Sequence, residues 1–179
     1  QATSVIKSVS DELNETIDRL WPEEVGEDPP QVCELPLPFK QDEAIAILAE
    51  ESGYVDAIQD TLLIHAAKEH SLVIRLAHRP GHFAVEGSPL AWAWPPDRVS
   101  DEVAKELNKA FVLANHRTPY QDVEFAIDQL VEIAVRALSP GVNDPFTALN
   151  CLDRLGAALC RLAQRNMPAS MRFDDKQQL

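Results

Sequence analysis

A chain of 179 residues is long enough to bury a core without disulfide or metal staples, as one domain or two small ones. Sixteen Lys and Arg against 29 Asp and Glu leave a formal charge of -13, which repels phosphate backbones and anionic head groups and argues against nucleic acid as a partner. Cys33, Cys151 and Cys160 are an odd, scattered set that forms neither a disulfide framework nor a CxxC metal motif, which fits a reducing, cytoplasmic compartment.

No apolar stretch approaches the roughly 20 residues that cross a bilayer, and the first residues lack the layout of a signal peptide. The chain opens on Gln1 and not on Met, which predicts that further sequence precedes it. From Ser4 to Trp21 the apolar residues Ile6, Val9, Leu13 and Leu20 keep an a/d spacing among Asp11, Glu12, Glu15 and Asp18, so residues 1–21 are expected to form an amphipathic helix. The repeat is shorter than a coiled coil needs, and packing against its own domain is the expected outcome. A proline- and acid-rich stretch over 22–39 blocks regular helix and predicts an extended connector.

Residues 40–97 read as a small β-rich unit. AIAILAEESGYVDAI gives two short strands around Ser52-Gly53, a helix follows from Thr61 to His70, and Pro80-Gly81 and Gly87 punctuate three further β runs. Residues 98–166 take a helical period. Ser100 is a cap for a helix whose first turn holds Asp101 and Glu102 and whose apolar side runs through Val103, Leu107, Phe111 and Leu113. A second helix is expected from about Tyr120 to Leu138, with Glu124, Asp128, Glu132 and Arg136 outward and Val123, Ile127, Leu130, Val131, Ala134 and Leu138 inward. A third begins at Asp144, where an Asp cap precedes Pro145, and runs to about Arg165 with Cys151, Leu152, Leu155, Ala158, Leu159 and Leu162 inward. Residues 167–179 are expected to form a tail. The predicted class is α+β: a small β-sheet or barrel-sandwich-like unit followed by an antiparallel helical bundle or hairpin.

The stretch RTPYQDVEFAIDQLVEIAVRALSPGVNDPFTALNCLDRLGAAL, with SGYVDAI and RPGHFAVEGSPLAWAWPP upstream, resembles the bacterial family of predicted membrane proteins called domain of unknown function 2254. The resemblance covers most of residues 40–160 and brings no reaction with it. It implies transmembrane helices ahead of Gln1, a cell-membrane location for the intact protein, and a cytoplasmic side for this domain, with the 1–21 helix the first element below the bilayer. SGYVDAI followed by RPGHFAVEGSPLAW is also similar to the strand-turn pattern of biotinyl and lipoyl carrier domains, but the lysine those domains modify is missing from both turns.

The segment Ser139-Pro140-Gly141-Val142-Asn143-Asp144-Pro145 joins the two long helices, and each residue has a structural task in stopping one and starting the next. The functional reading of the same segment is a small-ligand pocket formed by Asn143, Asp144 and Thr147 together with Asp122 and Glu124 of the preceding helix. Glu124, Asp128 and Glu132 form a stripe that reads as a solvated acidic face, since no His stands beside them on that helix. His65, His70, His78, His82 and His116 read as scattered over different elements, and Cys151 and Cys160 as small core fillers. No GxSxG, Walker, GxGxxG, HExxH or EF-hand pattern occurs, so no catalytic residue, metal or cofactor is assigned. The expected role is a non-catalytic interaction or sensory domain that pairs with itself through helix faces. The alternatives are the ligand-binding or enzymatic domain just described and a cytoplasmic brace of a membrane pore.

Overall fold

A computed structural model describes residues 2–21 and 39–166. The connector expected over 22–39 lies outside them except for Phe39, as do Cys33 and the tail expected over 167–179. In chain order the elements are α1 (Ala2–Leu20), β1 (Ile45–Leu48), β2 (Gly53–Ile58), α2 (Asp60–His70), β3 (Val73–Leu76), β4 (Phe83–Ala84) and β5 (Pro89–Trp94). They continue with α3 (Asp101–Asn108), β6 (Phe111–Ala114), α4 (Val123–Ala137) and α5 (Pro145–Ala163). The class is α+β, and among the described residues the strands make two three-stranded antiparallel sheets, β1-β5-β3 and β4-β2-β6, with no closed barrel. The described residues divide into two units: α1 with the chain from Thr118 onward, and the sheets with their helices up to Arg117.

In the sheet unit, β5 is the central strand of the first sheet, pairing Ala91 with Ile47 and Leu76, and Ala93 with Ile45 and Ile74. In the second sheet β2 lies between β4, where Tyr54 faces Phe83, and β6, where Ile58 faces Phe111. The small buried residues Ala91 and Ala93 leave room on the inner face for Ile47, Val55, Leu72 and Leu90, and α2 and α3 add Leu63, Ala66, Val103 and Leu107 to the same core. Ser100 caps α3 as expected, its hydroxyl accepting from the Val103 amide.

The expectation that Phe111 and Leu113 continue the Ser100 helix is corrected by the structure. That helix ends at Asn108, and Phe111–Ala114 is a strand on the edge of β2. The i, i+4 spacing of Val103, Leu107 and Phe111 mimics a helix face, but backbone pairing to a strand some 55 residues upstream in sequence decides the outcome. Residues up to Arg117 group with the sheets.

Gly53 explains the close approach of these two strands. A Cβ on Gly53 would stand 3.0 Å from the Ala114 carbonyl oxygen and 3.3 Å from the Leu113 Cβ. Gly53→Ala should therefore push β6 outward and cost about 1–3 kcal/mol, read as a lower denaturation midpoint with an unchanged slope.

In the helical unit, α1 turns Ile6, Val9, Leu13 and Ile17 toward Ala126 and Leu130 of α4 and Cys151 and Ala158 of α5. The a/d row of the first helix is thus absorbed by its own unit. Its far end is clasped: Arg161 donates to the Asp18 carboxylate from Nε at 2.9 Å and from Nη2 at 2.5 and 2.7 Å. Arg165 reaches the same carboxylate and also donates from Nη1 to the Trp21 carbonyl at 2.6 Å. Such bidentate guanidinium-carboxylate pairs fix geometry as well as charge.

Not every apolar residue expected inward is buried. Leu152 and Leu159 of α5, Val131 of α4 and Leu138 just beyond it are exposed, and of the two cysteines read as core fillers only Cys151 is buried while Cys160 is exposed. The nine-residue separation turns Cys160 to the opposite side of α5 from Cys151.

Candidate functional site

The turn between α4 and α5 is held largely by its own backbone. The Val142 and Asn143 amides donate to the Ser139 carbonyl at 3.0 and 2.9 Å, and the Asp144 amide donates to the Ala137 carbonyl at 2.7 Å. Asn143 takes a left-handed conformation, φ 47°, which asparagine tolerates better than most residues. Asp144 then caps α5: its Oδ1 accepts from the Thr147 amide at 3.1 Å and its Oδ2 from the Thr147 hydroxyl at 2.6 Å. Pro145 occupies the first helical position, where its missing N–H costs nothing.

Those bonds favour the ionised form of Asp144. The Thr147 hydroxyl, followed by the Thr147 amide, holds the carboxyl below its ordinary range. A depressed folded-state value stabilises the fold above the unfolded value, near pH 4, and that contribution disappears as pH falls through the folded value. Asp144→Ala should therefore lower the melting temperature at pH 7 and lose most of its effect when protein and variant are compared at about pH 2–3. Asp144→Asn, which keeps an acceptor for the Thr147 amide, should fall between them at pH 7.

Asp122 plays the corresponding part for α4, its buried carboxylate accepting from the Phe125 amide at 3.1 Å. Its position separates the two groups of residues that the sequence reading joins in one pocket. Asp122 and Glu124 stand at the start of α4, whereas Asn143, Asp144 and Thr147 follow its end, and a helix of 15 residues is about 22 Å long. The structure brings Asp144 and Thr147 together and leaves Asp122 and Glu124 at the opposite end. A groove of about 230 Å³ does open on this unit, but it is lined by Glu12, Glu15, Thr16, Arg19 and residues 118–120, away from the Asn143 turn. There the Arg19 guanidinium lies over the Tyr120 ring at 4.6 Å, and the Thr16 hydroxyl donates to the Pro119 carbonyl at 2.7 Å, so the groove walls are tied to each other.

What the hairpin does present is apolar surface. Val131, Val135 and Leu138 recur along α4 and its end, and Leu149, Leu152 and Leu159 along α5, all at three-, four- or seven-residue intervals and all exposed. Val142 and Phe146 extend the stripe across the turn, Phe146 being 81% exposed. Leu159 and Arg161 lie about 160° apart around the helix, so the stripe is on the flank of α5 turned away from the Asp18 clasp and from α1. Gly156 lies in this row, and a Cβ there would meet nothing within 4 Å.

The model of the family described as "Predicted membrane protein (DUF2254)" matches residues 1–179. The chain belongs to the DUF2254 family. Two proteins it is similar to are "Uncharacterized protein Rv1290c" of Mycobacterium tuberculosis, strain H37Rv, and "Uncharacterized protein Mb1321c" of Mycobacterium bovis. Each is 30% identical over 162 residues, which cover 88% of this chain and 30% of the relative. The chain thus spans less than a third of the length of these relatives. No solved structure matches it. Among the described residues no helix is long and apolar enough to cross a membrane.

Proposed function

We propose that the α1-α4-α5 unit is a non-catalytic assembly module of a DUF2254 membrane protein, in which the exposed α4-α5 face packs against the same face of a second copy. The observation that carries this reading is the run of exposed aliphatic and aromatic side chains on a folded helical hairpin whose other side is already filled by α1. Monomeric soluble proteins rarely leave such contiguous apolar surface in water. A face that is the same in both partners closes as a two-fold dimer, the commonest form of self-assembly. The spacing of Leu149, Leu152, Gly156 and Leu159 also follows the a/d pattern by which helices interlock.

The catalytic alternative lacks convergence, since its five residues lie at two ends of one helix and Asp144 already spends its oxygens on Thr147. On the assembly reading, the hairpin lies on the cytoplasmic side of a protein held in the membrane, and its pairing couples two copies of the intact protein. Sedimentation equilibrium of this chain over a wide concentration range is expected to give a mass that rises toward the dimer. Cysteine cross-linking at Val135 in the intact protein, in native membranes, is the companion measurement. A monomer at every concentration, together with no cross-link in the membrane, would end the proposal.

A further inference from the structure

We propose that the junction of α2 and α3 in the sheet unit is a binding site for a divalent transition metal, zinc in the first instance, with Glu69, His70 and Glu106 as its ligands. One donor atom from each of the three lies within 4.8 Å of the other two. His70 Nε2 and Glu106 Oε2 are already 3.2 Å apart. In a tetrahedral zinc site with bonds of about 2.0–2.1 Å, neighbouring ligand atoms are separated by about 3.3 Å, so this pair spans one edge of the polyhedron without rearrangement. Glu69 closes the third corner by a rotation about its own side chain, which is free to make it because the residue is more than half exposed.

The backbone that carries the ligands is fixed. Glu69 and His70 end α2, Glu106 is in the last turn of α3, and the two helices share the core through Leu63, Ala66, Val103 and Leu107. His70 is the most sheltered of the ligands, its side chain 25% exposed, while the two carboxylates face outward and leave room for solvent in a fourth position. One imidazole and two carboxylates suit a borderline cation such as zinc, iron or manganese, and two negative ligands offset its charge.

His65 stands one turn before Glu69, its Nε2 3.4 Å from the Glu69 carboxylate, and serves to orient that ligand in the way that outer partners orient metal ligands elsewhere. A simple His70-Glu106 ion pair between helices is the competing account, and the two accounts respond to metal in different ways.

Zinc titrated calorimetrically into the full chain at pH 7.5 is expected to bind with a stoichiometry of one. Glu106→Gln keeps the shape and the hydrogen-bonding reach of the side chain but removes its charge, and should weaken binding by at least the roughly 10–100-fold that even an outer partner is worth. His70→Ala should remove it, and His65→Ala should weaken it less than either. Cobalt(II) provides a second readout, a visible absorption band of tetrahedral intensity that Glu106→Gln loses while its circular dichroism matches the parent. Affinity should fall as pH drops through the histidine range, since the metal needs neutral imidazole. Absence of saturable binding, or zinc bound equally well by Glu106→Gln, would leave an ion pair only and overturn the assignment.

Discussion

Leu13→Ala is expected to destabilise the helical unit by about 2–5 kcal/mol, at least a thirtyfold increase in its opening constant. Leu13 is wholly inaccessible, in the middle of α1, and belongs to one buried cluster with Leu130 of α4 and Cys151 of α5. Truncation removes the transfer energy of the lost carbons and leaves a void that three helices cannot easily close, because each is held by further side chains in the same core. Amide exchange provides the measurement. The slowest amides of α4 should lose protection by that amount, and the β2 and β6 amides, whose side chains belong to a different buried cluster, report whether the loss is local. Val135→Ala is the control: an aliphatic side chain on the same helix α4, 64% exposed, should change stability by no more than about 0.5 kcal/mol. A cost for Leu13→Ala as small as that of Val135→Ala would mean that α1 does not fill the core of this unit.

The contrast between those two positions also marks where sequence reading succeeded. Caps are local events: Ser100 and Asp144 each find their acceptor role three residues ahead, so both helix starts were legible from a handful of residues. The a/d row of α1 was legible for the same reason, its Ile6, Val9 and Leu13 lying within two turns of one another. Phe111 and Leu113 were not, because the helix-like spacing that continues through Val103 and Leu107 is overruled by pairing with β2, a contact that leaves no trace in the neighbouring residues.

The candidate site divides along the same line. A helical wheel sorts apolar from polar residues but does not separate two apolar flanks, so it puts Leu152 and Leu159 in the core with Cys151 although they are exposed. Asn143 and Asp122 looked like members of one pocket because their helices are consecutive, and the length of α4 keeps them apart. The histidines read as scattered, yet His65 and His70 share α2, and the spacing His65-Glu69-His70 was a signal in the sequence. Glu106 completes the set from 36 residues downstream, a distance across which spacing carries no information.

Leu152→Glu separates the two kinds of apolar residue on α5. The side chain is 58% exposed in the single chain, so the substitution should leave monomer stability within about 0.5 kcal/mol and the helical circular dichroism unchanged. Its effect should appear only in association. A carboxylate placed in the middle of a face that packs on itself is buried twice, once from each copy, with no cation on the exposed row of Leu149, Leu152 and Leu159 to meet it. Loss of a central anchor in an interface costs about 2 kcal/mol or more, roughly thirtyfold in the dissociation constant, and desolvating the new charges adds to that. The expected result is a chain that stays monomeric at concentrations where the parent is dimeric. Arg154→Glu, an exposed position about 160° around the helix from Leu152, should leave the mass unchanged, because the proposal locates the association on one flank of the helix and not on its charge in general. Equal dimerisation of Leu152→Glu and the parent would place any contact between copies elsewhere on the chain.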